Sequence, residues 1–189
     1  MSKLFTAGVD EVGRGCLAGP VVSAAVILKS GIKLNFLRDS KKISFKRREE
    51  ISNHIKSNSF FSIGIASVDE ILKFNILGAS LLSMKRAIEN LKIKPNLTLI
   101  DGNFVPKGLK NCKTIINGDE KIKVISAASI IAKVYRDRFM IRLSEKFSNY
   151  AWERNFGYCT KAHLEGLQKF GVTSHHRKSF KPIHKILSS

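Results

Sequence analysis

The chain has 189 residues, 43% of them hydrophobic and 25% charged, enough for one folded unit with a full apolar core. Its 33 Lys and Arg against 15 Asp and Glu leave a net charge of +18, an excess that concentrates polyanions around the surface and points to nucleic acid. No apolar run reaches the roughly 18 residues of a membrane span, and the N-terminus lacks a secretory leader pattern. The three cysteines, Cys16, Cys112 and Cys159, are too scattered for a disulfide framework or a zinc site, so a cytosolic chain without membrane contact, monomeric by default, is expected.

Residues 4–10 form a first apolar strand that ends in two adjacent carboxylates, Asp10 and Glu11, and three glycines, Gly13, Gly15 and Gly19, follow at once. Glycine lets the backbone turn sharply and lets a ligand approach the main chain, so this stretch reads as a strand end carrying a site for a metal and a polyanion. The GxGxxxG spacing does not fit a dinucleotide loop. Residues 21–28 (VVSAAVIL) are the next strand, expected to pair antiparallel with the first. A brief apolar piece, 34–37, leads into Ser40-Lys41-Lys42, and a helix is predicted from Ser44 as its cap, with Arg47, Arg48, Glu49 and Glu50 outward.

Residues 60–68 (FFSIGIASV) read as a strand, and Asp69 as the cap of an amphipathic helix carrying Leu77, Leu81, Met84, Ile88 and Leu91 on one stripe. Two short strands follow, 97–100 ending at Asp101-Gly102 and 113–117 ending at Gly118-Asp119. The longest helical run, 125–147, has an Ala- and Ser-rich middle that permits close packing. A last helix is capped by Thr160, and the tail from Gly171 is basic. No repeat or linker divides the chain, and the pattern predicts an α/β fold with a central mixed sheet.

Acids at the ends of separate strands can meet where strand order switches. Such clusters are tolerated around a hard cation, Mg²⁺ or Mn²⁺. Asp10, Glu11 and Asp101 are the candidates, with Asp137 on the long helix as a fourth and Asp119 as its competitor. Asp10 and Glu11 would face opposite sides of an ideal strand, which requires a bend at the turn or a Glu11 that approaches from another side. Arg14, Ser40, Lys41, Lys42 and Arg177-Lys178 supply cations and hydroxyls for a polyanion, and Tyr158 supplies an aromatic face near Thr160 and His163. Trp152 and Phe156 read as packing residues.

The motifs DEVGRG and LAGPVV at 10–22, DSKK at 39–42, LIDGN at 99–103, SAASIIAKVYRDR at 126–138, GYCTKAH at 157–163 and HHRKSFKP at 175–182 together resemble the type 2 ribonuclease H family, bacterial ribonuclease HII. The resemblance implies a ribonuclease H-like fold with a small C-terminal helical extension, residues 148–189, packed near the substrate groove of a single catalytic domain. It implies an endonuclease that hydrolyses the RNA strand of RNA–DNA hybrids and cuts 5′ to ribonucleotides embedded in duplex DNA. The ends left are 5′-phosphate and 3′-hydroxyl, and the roles are ribonucleotide excision and primer removal. Asp10, Glu11 and Asp101 correspond to metal ligands for Mg²⁺ or Mn²⁺, two ions in the substrate complex, with Asp137 as the fourth acid. Gly13, Arg14 and Gly15 correspond to the segment that reads the ribose 2′-hydroxyl, and Tyr158 to the tyrosine that works with it. Cys16 stands where the family usually has proline, and Phe156 replaces a frequent tyrosine.

Overall fold

The computed structural model describes residues 4–32 and 44–188. Five strands form one mixed sheet in the order β3-β2-β1-β4-β5. Strand β1 (Thr6–Val12) pairs antiparallel with β2 (Val21–Leu28), and β2 pairs antiparallel with β3 (Ser59–Ala66). On its other side β1 pairs parallel with β4 (Leu97–Asp101), which pairs parallel with β5 (Cys112–Ile115). Seven of the eight β2 residues are buried, so this strand is covered on both faces. Its near-continuous apolar sequence is what a two-sided burial demands. The apolar segment 34–37 and residues Ser40, Lys41 and Lys42 lie outside the described residues.

Helix α1 (Phe45–Ser57) begins as expected, with the Ser44 hydroxyl accepting from the Arg47 amide. Its face is not wholly solvated. Arg48 turns inward to Asp137 at 3.9 Å and Glu49 pairs with Arg138, which corrects the outward assignment of those two residues. Helix α2 (Val68–Glu89) is capped two residues before the anticipated position: Ser67, not Asp69, caps it, and Glu70 completes a reciprocal capping box at 3.1 and 2.9 Å. Such a box satisfies two orphan backbone donors and is worth about 1 kcal/mol. At Asn75 (φ 57°, ψ 177°) α2 kinks, and the Asn75 side chain re-caps the second half by accepting from Leu77 and Gly78.

Short helix α3 (Gly118–Lys121) leads into α4 (Lys123–Lys146), the long central helix. Ala24 and Val26 of β2 face Ile51 and Ile55 of α1 and the Ala127, Ala128, Ile131 and Ala132 surface of α4, while Val9, Ala25 and Ile100 face Met84, Ala87 and Ile88 of α2. The sheet is therefore sandwiched. α4 lies close on β1 because residue 8 is glycine: a Cβ there would collide with the Val124 carbonyl group. Burial on α4 extends beyond its Ala- and Ser-rich middle, to Val134, Arg136, Asp137 and Met140.

Beyond α4, helices α5 (Trp152–Asn155), α6 (Lys161–Phe170, capped by Thr160 as expected) and α7 (Lys181–Leu187) enclose a second apolar cluster. Leu17 and Ala18 from the glycine turn enter this cluster beside Trp152, Leu167 and Ile183. The C-terminal elements are thereby packed on the turn that follows β1.

Candidate active site

The β1–β4 register pairs Val9 with Ile100, and the next residues along these parallel strands are Asp10 and Asp101. Two carboxylates thus sit side by side where the sheet changes from antiparallel to parallel pairing. Asp101 accepts a 2.6 Å hydrogen bond from the Gly118 amide, which docks α3 against the end of β4. The residue after Gly118 is Asp119. Asp10, Glu11, Asp101 and Asp119 line a cavity of about 410 Å³, which Arg48, Ser129 and Lys133 also line. Although β1 runs on to Val12 without bending first, Asp10 and Glu11 both reach this cavity at the strand end.

The acids are held under electrostatic strain. Burial first, then the charges of Glu11 and Asp101, push the Asp10 carboxyl well above the usual carboxylate range, against the pull of a hydrogen bond from Ser129. Burial likewise raises Glu11, opposed chiefly by Arg14, whose guanidinium lies 3.1 Å from Glu11 Oε1. The other Glu11 oxygen is buried with no hydrogen-bond partner. Among the described residues these acids do not close into a three-ligand metal group as they stand, because Glu11 is turned to Arg14 and Asp101 to the Gly118 amide. An all-oxygen donor set with mutual repulsion and an orphaned carboxylate oxygen nevertheless fits a hard divalent cation, which would relieve both.

Asp137 does not join this cavity. It is fully buried in α4, with Lys133 at 2.7 Å and Arg48 at 3.9 Å. Burial raises its carboxyl, and Lys133 opposes that rise. Asp119, which follows a strand as Asp10 and Asp101 do, lines the cavity with them, whereas Asp137, expected there as the fourth acid, does not.

The glycine turn is fixed by two guanidinium groups that sequence reading missed or misjudged. Arg136, fully buried, donates to the carbonyls of Pro20 (2.9 Å), Phe156 (2.8 Å) and Ala18 (2.9 Å). Arg177, also buried, donates to Gly19 (2.9 Å), Arg14 (2.8 Å) and Pro20 (3.2 Å). Arg177 is therefore not a free cation for a polyanion, as its place in a basic tail suggested, but a clamp on the turn. Gly13, at φ 93°, sits where any side chain would strike the Arg136 guanidinium. Arg14 and Gly15 are exposed, presenting the outer backbone of the turn to a ligand.

Tyr158 is partly exposed beside this turn. Burial of its inner portion, reinforced by the neighbouring Cys16 thiol, pushes the hydroxyl up to about 12, so it remains a proton donor at physiological pH. Thr160 is exposed and caps α6 by accepting from the His163 amide at 3.3 Å. His163, by contrast, is fully buried and cannot touch a substrate directly. Its Nδ1–H donates to the Tyr158 carbonyl (2.9 Å), which leaves Nε2 to accept from Trp152 Nε1 (3.1 Å) and from His176 Nε2 (3.1 Å). His176 Nδ1 in turn accepts from the Thr173 amide at 3.0 Å. Trp152 is a packing residue, as expected, and Phe156 is half-buried against Phe45 at 6.4 Å.

The family model for Ribonuclease HII matches residues 7–183. A "Ribonuclease HII" of Pelagibacter ubique is 58% identical over 183 residues, covering 96% of this chain and 98% of its own. Among solved structures, the ribonuclease H2 from Pyrococcus horikoshii superposes with a TM-score of 0.80 at 23% identity, covering 98% of each chain. Bst-RNase HIII, solved in complex with Mn²⁺, superposes with a TM-score of 0.73 at 18% identity, covering 98% of this chain and 70% of its own.

Proposed function

The chain belongs to the ribonuclease HII family, and from that premise we propose how its residues act. It is a ribonuclease H, an endonuclease that degrades the RNA of RNA–DNA hybrids and removes ribonucleotides from DNA. The observation that carries the reading of the site is the convergence of Asp10, Glu11, Asp101 and Asp119 on one cavity beside an exposed glycine turn in a chain of net charge +18.

Asp10, Glu11, Asp101 and Asp119 would hold divalent cations, Mg²⁺ or Mn²⁺, and the relative solved with Mn²⁺ supports that choice. A metal bound there supplies an attacking water of lowered pKa and a counter-charge for the leaving oxygen. Water adds to phosphorus as the bond to the 3′-oxygen breaks, and that oxygen takes up a proton, giving 3′-hydroxyl and 5′-phosphate ends. The amides of the Gly13–Gly15 turn and the Tyr158 hydroxyl, kept protonated, are the donors and acceptors able to read a ribose 2′-hydroxyl and so tell RNA from DNA. Arg14, freed from Glu11 when that carboxylate takes a cation, is available to a backbone phosphate. Ser40 adds a hydroxyl and Lys41 and Lys42 add cations on the same reading, while Thr160 and His163 act through the loop that carries Tyr158. Residues 1–189 work as one catalytic unit with 148–189 as its extension, monomeric, in the cytosol. No helix of the described residues is long and apolar enough to cross a membrane.

Single substitutions test the acid assignment. Asp101→Asn and Asp119→Asn are expected to lower kcat by more than about 100-fold while leaving duplex affinity in EDTA near wild type. Asp137→Asn is expected to change KM more than kcat. Full turnover by Asp119→Asn would return the fourth position to Asp137.

A further inference from the structure

The cavity lining combines opposite charges: the four acids come from the strand ends and α3, and Arg48 and Lys133 from α1 and α4. Along α4, Ser129, Lys133 and Asp137 follow one another at four-residue spacing and so share a face. Ser129 bonds to Asp10, Lys133 lines the cavity, and Asp137 lies buried behind it. The Lys133 ammonium is bound to Asp137 Oδ1 at 2.7 Å, and its position is fixed further by the Phe156 ring at 4.7 Å and the Tyr158 ring at 5.8 Å.

This is more restraint than a surface lysine has. Asp137 faces two cations, Lys133 at 2.7 Å and Arg48 at 3.9 Å, and the nearer one is the tethered lysine. An ammonium has three donors, and the carboxylate uses one of them. Lys133 itself lines the cavity, so its remaining donors are the ones placed to meet a ligand there, with the Tyr158 ring beside the ammonium.

We propose that Lys133 binds the nucleic-acid phosphate adjoining the ribose beneath Tyr158, and that Asp137 is the positioning residue that holds its ammonium at that place. The proposal rests on the nuclease reading above for the identity of the polyanion. The acids take the metal, and the tethered lysine takes the phosphate, which sets the strand's register across the cleft. Asp137 thus keeps a role in the site without coordinating metal.

The test uses the full chain and a duplex carrying one ribonucleotide. Affinity is measured in EDTA, where nothing is cut, at several salt concentrations, and kcat and KM are measured with Mn²⁺. A residue that neutralises one phosphate contributes about one unit to the slope of log affinity against log salt. Lys133→Gln is expected to weaken binding about tenfold and lower that slope by about 1, raising KM more than it lowers kcat, whereas Lys133→Arg keeps the slope. The double variant Lys133→Gln with Asp137→Asn removes both charges, so no unpaired carboxylate is left buried, and it should match Lys133→Gln in slope and affinity. A folded double variant with wild-type slope and KM overturns the proposal. Should the wild type bind this duplex and cut neither it nor a hybrid, the nuclease reading fails while the slope comparison still decides the role of Lys133.

Discussion

Removing the Arg136 guanidinium tests whether the glycine turn is held from inside. Its three hydrogen bonds, at 2.8 to 2.9 Å, go to carbonyls on Ala18, Pro20 and Phe156, joining the turn, the start of β2 and the Tyr158 loop to α4. A hydrogen bond to a charged group contributes about 1.5–3 kcal/mol net, and a carbonyl left buried without a donor costs about 1–3 kcal/mol. Relief of a buried cation's desolvation offsets part of that loss. The balance for Arg136→Met is about 3–5 kcal/mol, a large share of a typical total of about 5–15 kcal/mol. Arg136→Lys, which can satisfy one or two of the carbonyls, should lose about half as much. Urea unfolding followed by circular dichroism gives the midpoints. At the same time the loosened turn should raise KM for a ribonucleotide-containing duplex. If Arg136→Met unfolds within about 1 kcal/mol of wild type and keeps its KM, the clamp is not what shapes the turn.

Two further outcomes follow from the buried ionisable groups. The Asp10 carboxyl is raised by burial and by its acidic neighbours, so the unfolded chain ionises it at lower pH and the metal-free fold loses stability as pH rises through that window. Asp10→Asn should therefore raise Tm in EDTA, by about 2–4 °C for each 1 kcal/mol of relief, while abolishing turnover; a lower Tm by calorimetry would contradict it. His176 is lowered from 6.5 to about 3, first by burial and then by His163 and His175. Its neutral form is the folded one, so its contribution is complete above pH 6.5 and declines as pH falls toward 3. At about pH 4 the loss approaches 3 kcal/mol, and His176→Gln should flatten this part of the stability curve, whereas parallel curves would sink the argument.

The strand ends were readable because the features that define them are local. Asp10-Glu11, Asp101-Gly102 and Gly118-Asp119 each close an apolar run, and the capping hydroxyls of Ser44 and Thr160 stand directly before periodic segments. The Ser67 cap was equally local, since Ser67-Val68-Asp69-Glu70 spells the capping box, but Asp69 offered a competing cap two residues on. The Asn75 kink had no comparable signal. Nor could sequence show that Arg136, Arg177 and His163 are buried, because their partners are carbonyls and rings brought from distant positions. Asp137 illustrates the same limit. Its place on the long helix is legible, and only the folded chain shows that Asp137 is buried against Lys133 away from the cavity while Asp119 lies among the acids that line it.

The central claim, metal-dependent hydrolysis guided by a ribose hydroxyl, is tested most directly with a labelled DNA duplex holding one ribonucleotide beside an all-DNA duplex of the same sequence. Incubated with Mn²⁺, Mg²⁺ or EDTA, the wild-type chain should nick the first substrate 5′ to the ribonucleotide, with either metal only, and leave the second intact. Cleavage of both duplexes would contradict the role given to the Gly13–Gly15 turn and Tyr158, and cleavage in EDTA would contradict the role given to the four acids.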